Sequence, residues 1–403
     1  MENLLTLNKR NAKSIHYNGI LIGLFLSADM IIKLVLTLVY VENFLVFFYL
    51  SIFLVGVIVN GFRLNNKYLL IYIAIAALFG ISLITVNDNY YTFQYFLFFT
   101  AFYLASGILQ FQVSVNNIFK TISIVNVAFV LYLYFVIFDS FSRGTLDIDF
   151  TLNLSYTSLI GISAFFLSFS LKNYKQSKLF FIICSISVLT ELFFMLFISS
   201  NRGSLIGLTA LFSLILLKKI SQPAIRIFVM FFFATIGIYI YNNLIDIVRS
   251  LYNITIKYDL PSNFLHKSLW KLEFQDFSSG RFDLYNDALL AFSKSPFLGT
   301  GIGDFSSKHA GQYPHNLFLD VLTELGFWAF VIVLIFSIYG FYIILKVRNS
   351  DYATLAFMLF VLAFPKLMFS STLWMSPFFW AFLVLILVNP RLKDINSTKK
   401  TDE

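Results

Sequence analysis

The chain has 403 residues, of which 59% are hydrophobic and 12% charged, with a mean hydropathy of +0.80. A water-soluble domain carries about a quarter charged residues, so most of this chain cannot face water. Its formal net charge of +8 is the mark of a membrane protein that keeps lysines and arginines in its cytoplasmic loops, and no nucleic-acid partner is expected.

Apolar runs long enough to cross about 30 Å of hydrocarbon recur along the whole length. In lipid only a helix satisfies its own backbone groups within such a run, so each is read as a helix. The predicted spans are 19–40, 44–59, 68–86, 91–109, 118–138, 154–171, 179–198, 203–217, 226–245, 317–345, 352–369 and 373–388. The fold class is therefore all-α, a single polytopic membrane domain over residues 1–403 with about twelve transmembrane helices.

Positive charge recurs in every second connection: Lys9, Arg10 and Lys13, then Arg63 and Lys67, Lys120, Lys172, Lys175 and Lys178, Lys218, Lys219 and Arg226, Lys346 and Arg348, and finally Arg391, Lys393, Lys399 and Lys400. By the positive-inside rule both termini are cytoplasmic, membrane lipids surround the spans, and the long connection 246–316 is external. Met1 to Asn18 is polar and basic, and no small-residue cleavage site follows the first apolar run, so that span is expected to stay attached.

Ionisable residues inside spans carry separate expectations. Asp29 and Lys33 lie one turn apart and should pair, whereas Glu191 and Lys366, the latter beside Pro365, could line a cavity facing polar groups of a substrate. The single cysteine, Cys184, reads as a small buried apolar residue, with no disulfide or thiolate metal site.

The external loop 246–316 is the anomaly, because a connection of about 70 residues is usually functional or disordered. Its seven Lys/Arg and seven Asp/Glu cancel, and Trp270, Phe264, Phe274 and Phe277 are not a disordered composition. Helical spacing runs from about Pro261 to Phe274 and from Phe282 to Phe292, which predicts short helices against the membrane surface.

The external polar signal gathers in four places: Ser199 to Ser204, Ser279 to Phe282, Pro296 to Gly303, and Tyr313 to Asn316. Arg202, followed by Gly203, would either snorkel to headgroups or, with Arg281, hold a diphosphate by bidentate hydrogen bonds. Gly299, Gly301 and Gly303 resemble half a phosphate-binding loop, although Pro296 and Gly299 fit an ordinary turn equally well. His315, next to an Asn316 that could orient it, is the candidate general base, with an interfacial cap as the alternative. His309 reads as a loop residue, with a metal ligand or a second contact as the alternatives. No carboxylate cluster with metal spacing accompanies either histidine, so no metal or other cofactor is expected.

The stretch SSGRFDLYNDALLAFSKSPFLGTGIGDF, then PHNLFLDVLTELGFW, together with the Arg202–Gly203 pair and the place of the long loop, resembles the O-antigen polymerase and O-antigen ligase superfamily of bacterial envelopes. The first two hundred residues match it only as hydrophobic spans. The resemblance implies a GT-C-like, metal-independent glycosyltransferase of hexosyltransferase type in the inner membrane, with undecaprenyl-diphosphate-linked glycan as donor. Arg202 and Arg281 would bind the diphosphate, His315 would activate the acceptor hydroxyl, and Gly203, Gly301, Gly303, Tyr313 and Asn316 would contact substrate. The Tyr313-Pro314-His315-Asn316 form looks more like a polymerase, with a chain-length regulator as a candidate partner. A ligase acting on lipid A-core is the alternative, and a lipid-linked oligosaccharide flippase is the alternative of another class.

Overall fold

The computed structural model describes residues 2–36, 43–61, 63–143, 148–171, 174–195, 201–220, 243–258, 281–346 and 350–389, with scattered positions between 222 and 235 and between 265 and 273. Among these residues the regular elements are all helices. They are α1 (Glu2–Leu26), α2 (Ala28–Leu36), α3 (Asn43–Asn60), α4 (Asn66–Thr85), α5 (Tyr90–Ser106), α6 (Val115–Arg143), α7 (Ile148–Ser168), α8 (Lys178–Phe193), α9 (Arg202–Lys219), α10 (Leu244–Lys257), α11 (Arg281–Lys294), α12 (Asp304–Lys308), α13 (Leu317–Lys346), α14 (Asp351–Phe369) and α15 (Pro377–Val388).

Among the described residues, five stretches are long and apolar enough to cross a membrane: Asn66–Thr85, Tyr90–Gln110, Val115–Phe135, Leu317–Lys346 and Asp351–Phe369. Phe44–Asn60 and Pro377–Val388 are shorter apolar helices. Helices also occupy the other expected spans, the first divided at Ser27, except 226–245, most of which lies outside the described residues. The expected loop helix 261–274 lies largely outside them too, whereas 282–292 falls within α11.

Polar residues at the ends of apolar runs set where helices begin. Asn65 accepts from the Lys67 amide (2.8 Å) and Ser177 from the Phe180 amide (3.2 Å), each satisfying a donor that the first helical turn leaves open. The centre is α14, buried along most of its length, which packs on α7, α9, α13 and α15. α15 packs in turn on α5, where Trp380 meets Phe99 edge-on at 4.9 Å and stacks with Trp374 at 6.0 Å. Outer helices instead expose apolar side chains, such as Leu70, Ile73 and Ile84 of α4 and Ile332 and Ile335 of α13. Lipid offers little hydrophobic drive between helices, so close packing and polar contacts hold the bundle.

Two sets of long-range hydrogen bonds join the helix ends. At one end Asn18 donates to Asn60 (3.0 Å) and to the Gln112 carbonyl (3.1 Å), Tyr352 to the Val113 carbonyl (3.1 Å), and Asn389 to the Leu109 carbonyl (2.6 Å). At the other, the Ile302 amide donates to Ser82 Oγ (2.9 Å), Thr92 donates to the Ile302 carbonyl (2.7 Å), and Tyr95 and Ser306 share a hydroxyl bond of 2.8 Å. The second set ties the 299–308 segment to α4 and α5.

The span expected over 317–345 is not continuous. At Gly326 the backbone of α13 leaves helical geometry, with φ 78° and ψ −173°. The Phe327 amide donates to the Pro296 carbonyl (2.8 Å), while the carbonyls of Thr323 and Glu324 accept from the amides of Thr300 (2.8 Å) and Gly301 (3.0 Å). The break frees these groups from the helical ladder, and the Pro296–Gly303 turn satisfies them. Only glycine allows so close an approach: a Cβ on Gly299, at φ 72°, would collide with the Glu324 carbonyl, and one on Gly326 with the Phe297 carbonyl. Gly299→Ala should therefore cost at least about 2 kcal/mol, combining left-handed strain with the collision. Thermal unfolding in detergent would measure it, and an unchanged midpoint would refute this packing.

Candidate functional site

Described residues of three external segments come together around Tyr156 of α7 and Ser370 at the end of α14: Gly203 at the start of α9, Arg281 at the start of α11, and Tyr313 with His315 before α13, whereas the Pro296–Gly303 turn packs on α4, α5 and α13. Asn201 caps α9 by accepting from the Gly203 amide (2.9 Å), which makes Arg202 its first residue; the Arg202 side chain lies outside the described residues. Gly203 is buried where a Cβ would strike the Tyr156 hydroxyl, so its bareness lets α9 meet α7. That hydroxyl donates to Ser370 Oγ (2.8 Å), and the Ser370 carbonyl accepts from the Tyr313 hydroxyl (2.9 Å). Lys366, one turn before Ser370, holds its ammonium 5.6 Å from the centre of the Tyr156 ring.

Tyr313 lies against His315, ring centres 4.3 Å apart. His315 has a positive φ of 51°, an unusual conformation that turns the chain into α13. Its Nδ1 is buried without a hydrogen-bond partner. Asn316 orients the helix rather than the imidazole: its Oδ1 accepts from the amides of Phe318 (3.0 Å) and Leu319 (3.2 Å). Arg281, the half-buried first residue of α11, lies close enough to act electrostatically on His315, Tyr313 and Tyr156.

Burial and then the Arg281 charge push the His315 pKa down to about 4 from an ordinary value near 6.5. The imidazole is thus neutral at pH 7, with a ring nitrogen free to accept a proton. Burial, helped by the charge of Asp320, pushes the Tyr313 hydroxyl up to about 12, so it stays a donor.

In the glycine-rich turn the backbone amides have partners within the protein. The Gly303 amide donates to Glu324 Oε1 (2.9 Å) and the Gly301 amide to the Glu324 carbonyl (3.0 Å), so both are already engaged. Glu324 Oε2 accepts from Trp374 Nε1 (2.5 Å), and Asp320, one turn earlier, accepts from Thr372 Oγ1 (2.7 Å) and the Leu373 amide (3.2 Å). His309 is a bridge, its ring stacked on Phe305 (4.0 Å) and its Nε2 3.3 Å from Asp287 of α11.

Sequence reading did not single out Tyr156 and Ser370 of the hydroxyl chain, nor Asp320 and Glu324 as anchors. The polar break 370–372 between two apolar runs was the available signal for Ser370, and two carboxylates one turn apart in an apolar helix were that for the anchors. Tyr156 gave none. Away from the site, Glu191 is fully buried and accepts from Asn126 (3.2 Å), and Cys184 is buried and free. The Lys33 side chain, and with it the expected pair with Asp29, lies outside the described residues. Among the described residues no group of three or more His, Cys, Asp or Glu side chains is placed to hold a metal ion.

Apolar helices of spanning length and a polar site at one end of the bundle define a helical membrane protein. Residues 188–334, which contain Arg202, Gly203, Arg281, Tyr313, His315 and Asn316, match the family profile described as O-Antigen ligase. The match covers about a third of the chain and supports a likeness to the O-antigen polymerase and ligase superfamily, enzymes of the glycosyl-transferring kind. No curated protein matches the chain.

The low proton affinity of His315 has a defined consequence. Its folded pKa lies below the unfolded one, so between about pH 6.5 and 4 the unfolded chain binds more protons and stability falls as pH falls. Arg281→Gln should raise the His315 pKa, while burial keeps it below 6.5. Titration of the imidazole resonances by NMR would follow this, and an unmoved pKa in the variant would mean that the guanidinium does not face the ring.

Proposed function

We propose that this chain is a polymerase of O-antigen or a related surface polysaccharide, joining undecaprenyl-diphosphate-linked repeat units by glycosyl transfer at the periplasmic face of the bacterial inner membrane. The observation that carries the reading is a neutral imidazole with an unpartnered buried nitrogen beside the Arg281 guanidinium, inside the matched domain. About twelve GT-C-like crossings, cytoplasmic termini and a periplasmic loop belong to the same reading. The two sets of end-to-end hydrogen bonds support it, since each joins only residues that the charge pattern assigns to one side.

In this mechanism Arg281 and Arg202 hold the donor diphosphate, Arg281 by the two-pronged hydrogen bonding that a guanidinium offers. The acceptor hydroxyl oxygen attacks the anomeric carbon, with inversion. The bond from that carbon to the diphosphate oxygen breaks, and its electron pair leaves with the diphosphate, whose growing charge the arginines stabilise. His315 takes the hydroxyl proton. A bound diphosphate offsets the Arg281 charge and so raises the proton affinity of the imidazole toward the range useful near neutral pH. Tyr313 and Asn316 shape the pocket around the base, Gly203 lets α9 close on α7 beside it, and Gly301 and Gly303 let the outer turn, a further candidate substrate contact, close on α4 and α5. The transfer is of hexosyltransferase type and needs no divalent metal, because the arginines supply the positive charge that the diphosphate requires. A chain-length regulator is the proposed protein partner.

A ligase would use the same donor machinery and differ in its acceptor, lipid A-core; the description of the matched profile favours keeping it as the second reading. Surface glycan from a deletion strain separates the possibilities. Single repeats attached to lipid A-core are expected for a polymerase. Undecaprenyl-linked polymer without attachment would mean a ligase, and loss of all external glycan a flippase.

The roles of Arg281 and His315 should fail differently. Arg281→Ala should lose most donor binding and Arg281→Lys retain a fraction, since lysine keeps the charge without the fork. His315→Ala should bind donor yet turn over about a hundred- to ten-thousand-fold more slowly, the usual worth of a general base. Donor affinity and polymer formation, measured at equal membrane insertion, would check both, and normal turnover by His315→Ala would remove the base from the scheme.

A further inference from the structure

Resting on the glycosyl-transfer reading, we infer that Lys366 is a further donor-binding residue, which takes the lipid-proximal phosphate of the prenyl diphosphate while Arg281 takes the sugar-linked one. The argument begins with the cost of the residue. α14 is apolar and mostly buried, and a cation at membrane depth is expensive unless it has a partner or a task. Among the described residues, Lys366 has the face of the Tyr156 ring and no carboxylate within ion-pair distance. Arg281 has none either. The buried acids nearby, Asp320 and Glu324, are turned to the 372–374 linker and the glycine turn.

Tyr156 links the two cations. Its ring faces the Lys366 ammonium, its hydroxyl bonds Ser370, and the Arg281 charge reaches both it and Tyr313. Lys366 is only half-buried, so the cluster is positive, has no counterion among the described residues and can be reached. The missing partner is an anion at the outer boundary of the membrane. A prenyl diphosphate meets that requirement in order of depth: its tail-linked phosphate is the deeper, as is Lys366 within α14, and its sugar-linked phosphate lies outward, as does Arg281 at the start of the loop helix α11. Side-chain chemistry agrees, since lysine is a point charge suited to one phosphate, whereas arginine offers a fork for the more exposed oxygens of the other.

The test measures binding of two sugar-free lipids, undecaprenyl diphosphate and undecaprenyl monophosphate, to the full chain in nanodiscs. Lys366→Gln should weaken both by a similar factor, roughly ten- to a hundredfold, the worth of one hydrogen bond to a charged group. Arg281→Gln should weaken the diphosphate alone, and Lys366→Arg should restore most binding of both. If Lys366→Gln is not recovered folded, Lys366→Met, which removes an unpaired charge from an apolar helix, provides the same reading. Unchanged binding of both lipids by a folded Lys366 variant, or loss of the diphosphate alone, would overturn the inference. If the parent protein binds neither lipid, the glycosyl-transfer reading itself fails.

Discussion

The arrangement depends on Glu324. A carboxylate buried at the end of an apolar helix is tolerable only if its oxygens are hydrogen-bonded, and here one takes the Trp374 indole and the other the Gly303 amide. Those contacts join three pieces of chain far apart in sequence: the first half of α13, the linker before α15, and the turn that closes the outer loop. Because the helix breaks two residues later at Gly326, the main-chain groups released there are satisfied by the same turn. One buried acid and one glycine break thus hold the loop against the membrane bundle.

Everything at the site is hung on that junction. α11 packs on α13, which brings Arg281 toward the start of α13, where His315 and Tyr313 lie. The positive φ of His315 and the cap from Asn316 turn the chain sharply into the helix. From the opposite side, Ser370 holds Tyr156 and Tyr313 in one hydroxyl chain. The proposed base therefore sits in a frame of helix ends, which is more rigid than a free loop could supply.

Electrostatically the site is poised rather than balanced. Glu324 and one oxygen of Asp320 are committed to structure, and among the described residues no carboxylate lies within ion-pair distance of Arg281 or Lys366. Burial first, and the unopposed Arg281 charge second, keep the imidazole neutral, and in the proposed mechanism an anionic donor would offset the second of these. In the proposed mechanism, coupling of this kind would make the proton acceptor competent when the leaving group is in place and would protect the activated lipid from idle hydrolysis.

What the sequence determined by itself follows from local composition. Long apolar runs in lipid have no alternative to helix, and α3 to α9 and α13 to α15 begin within a few residues of the expected spans. The quoted stretch from Ser278 to Trp328 and the Arg202–Gly203 pair carried the resemblance to the superfamily, and the profile match over residues 188–334 contains both. Tertiary structure alone decided the rest. Gly326 reads as an unremarkable residue in an apolar run until the glycine turn packs against it, and Gly301 and Gly303 resemble a phosphate loop until Glu324 engages their amides. Asn316 seemed placed to orient His315, but the nearest open donors were those of its own helix. Tyr156, Ser370 and Lys366 come together only because α7 and α14 pack side by side, and residues 214 positions apart, as in the Tyr156–Ser370 bond, leave no periodicity in the sequence to read.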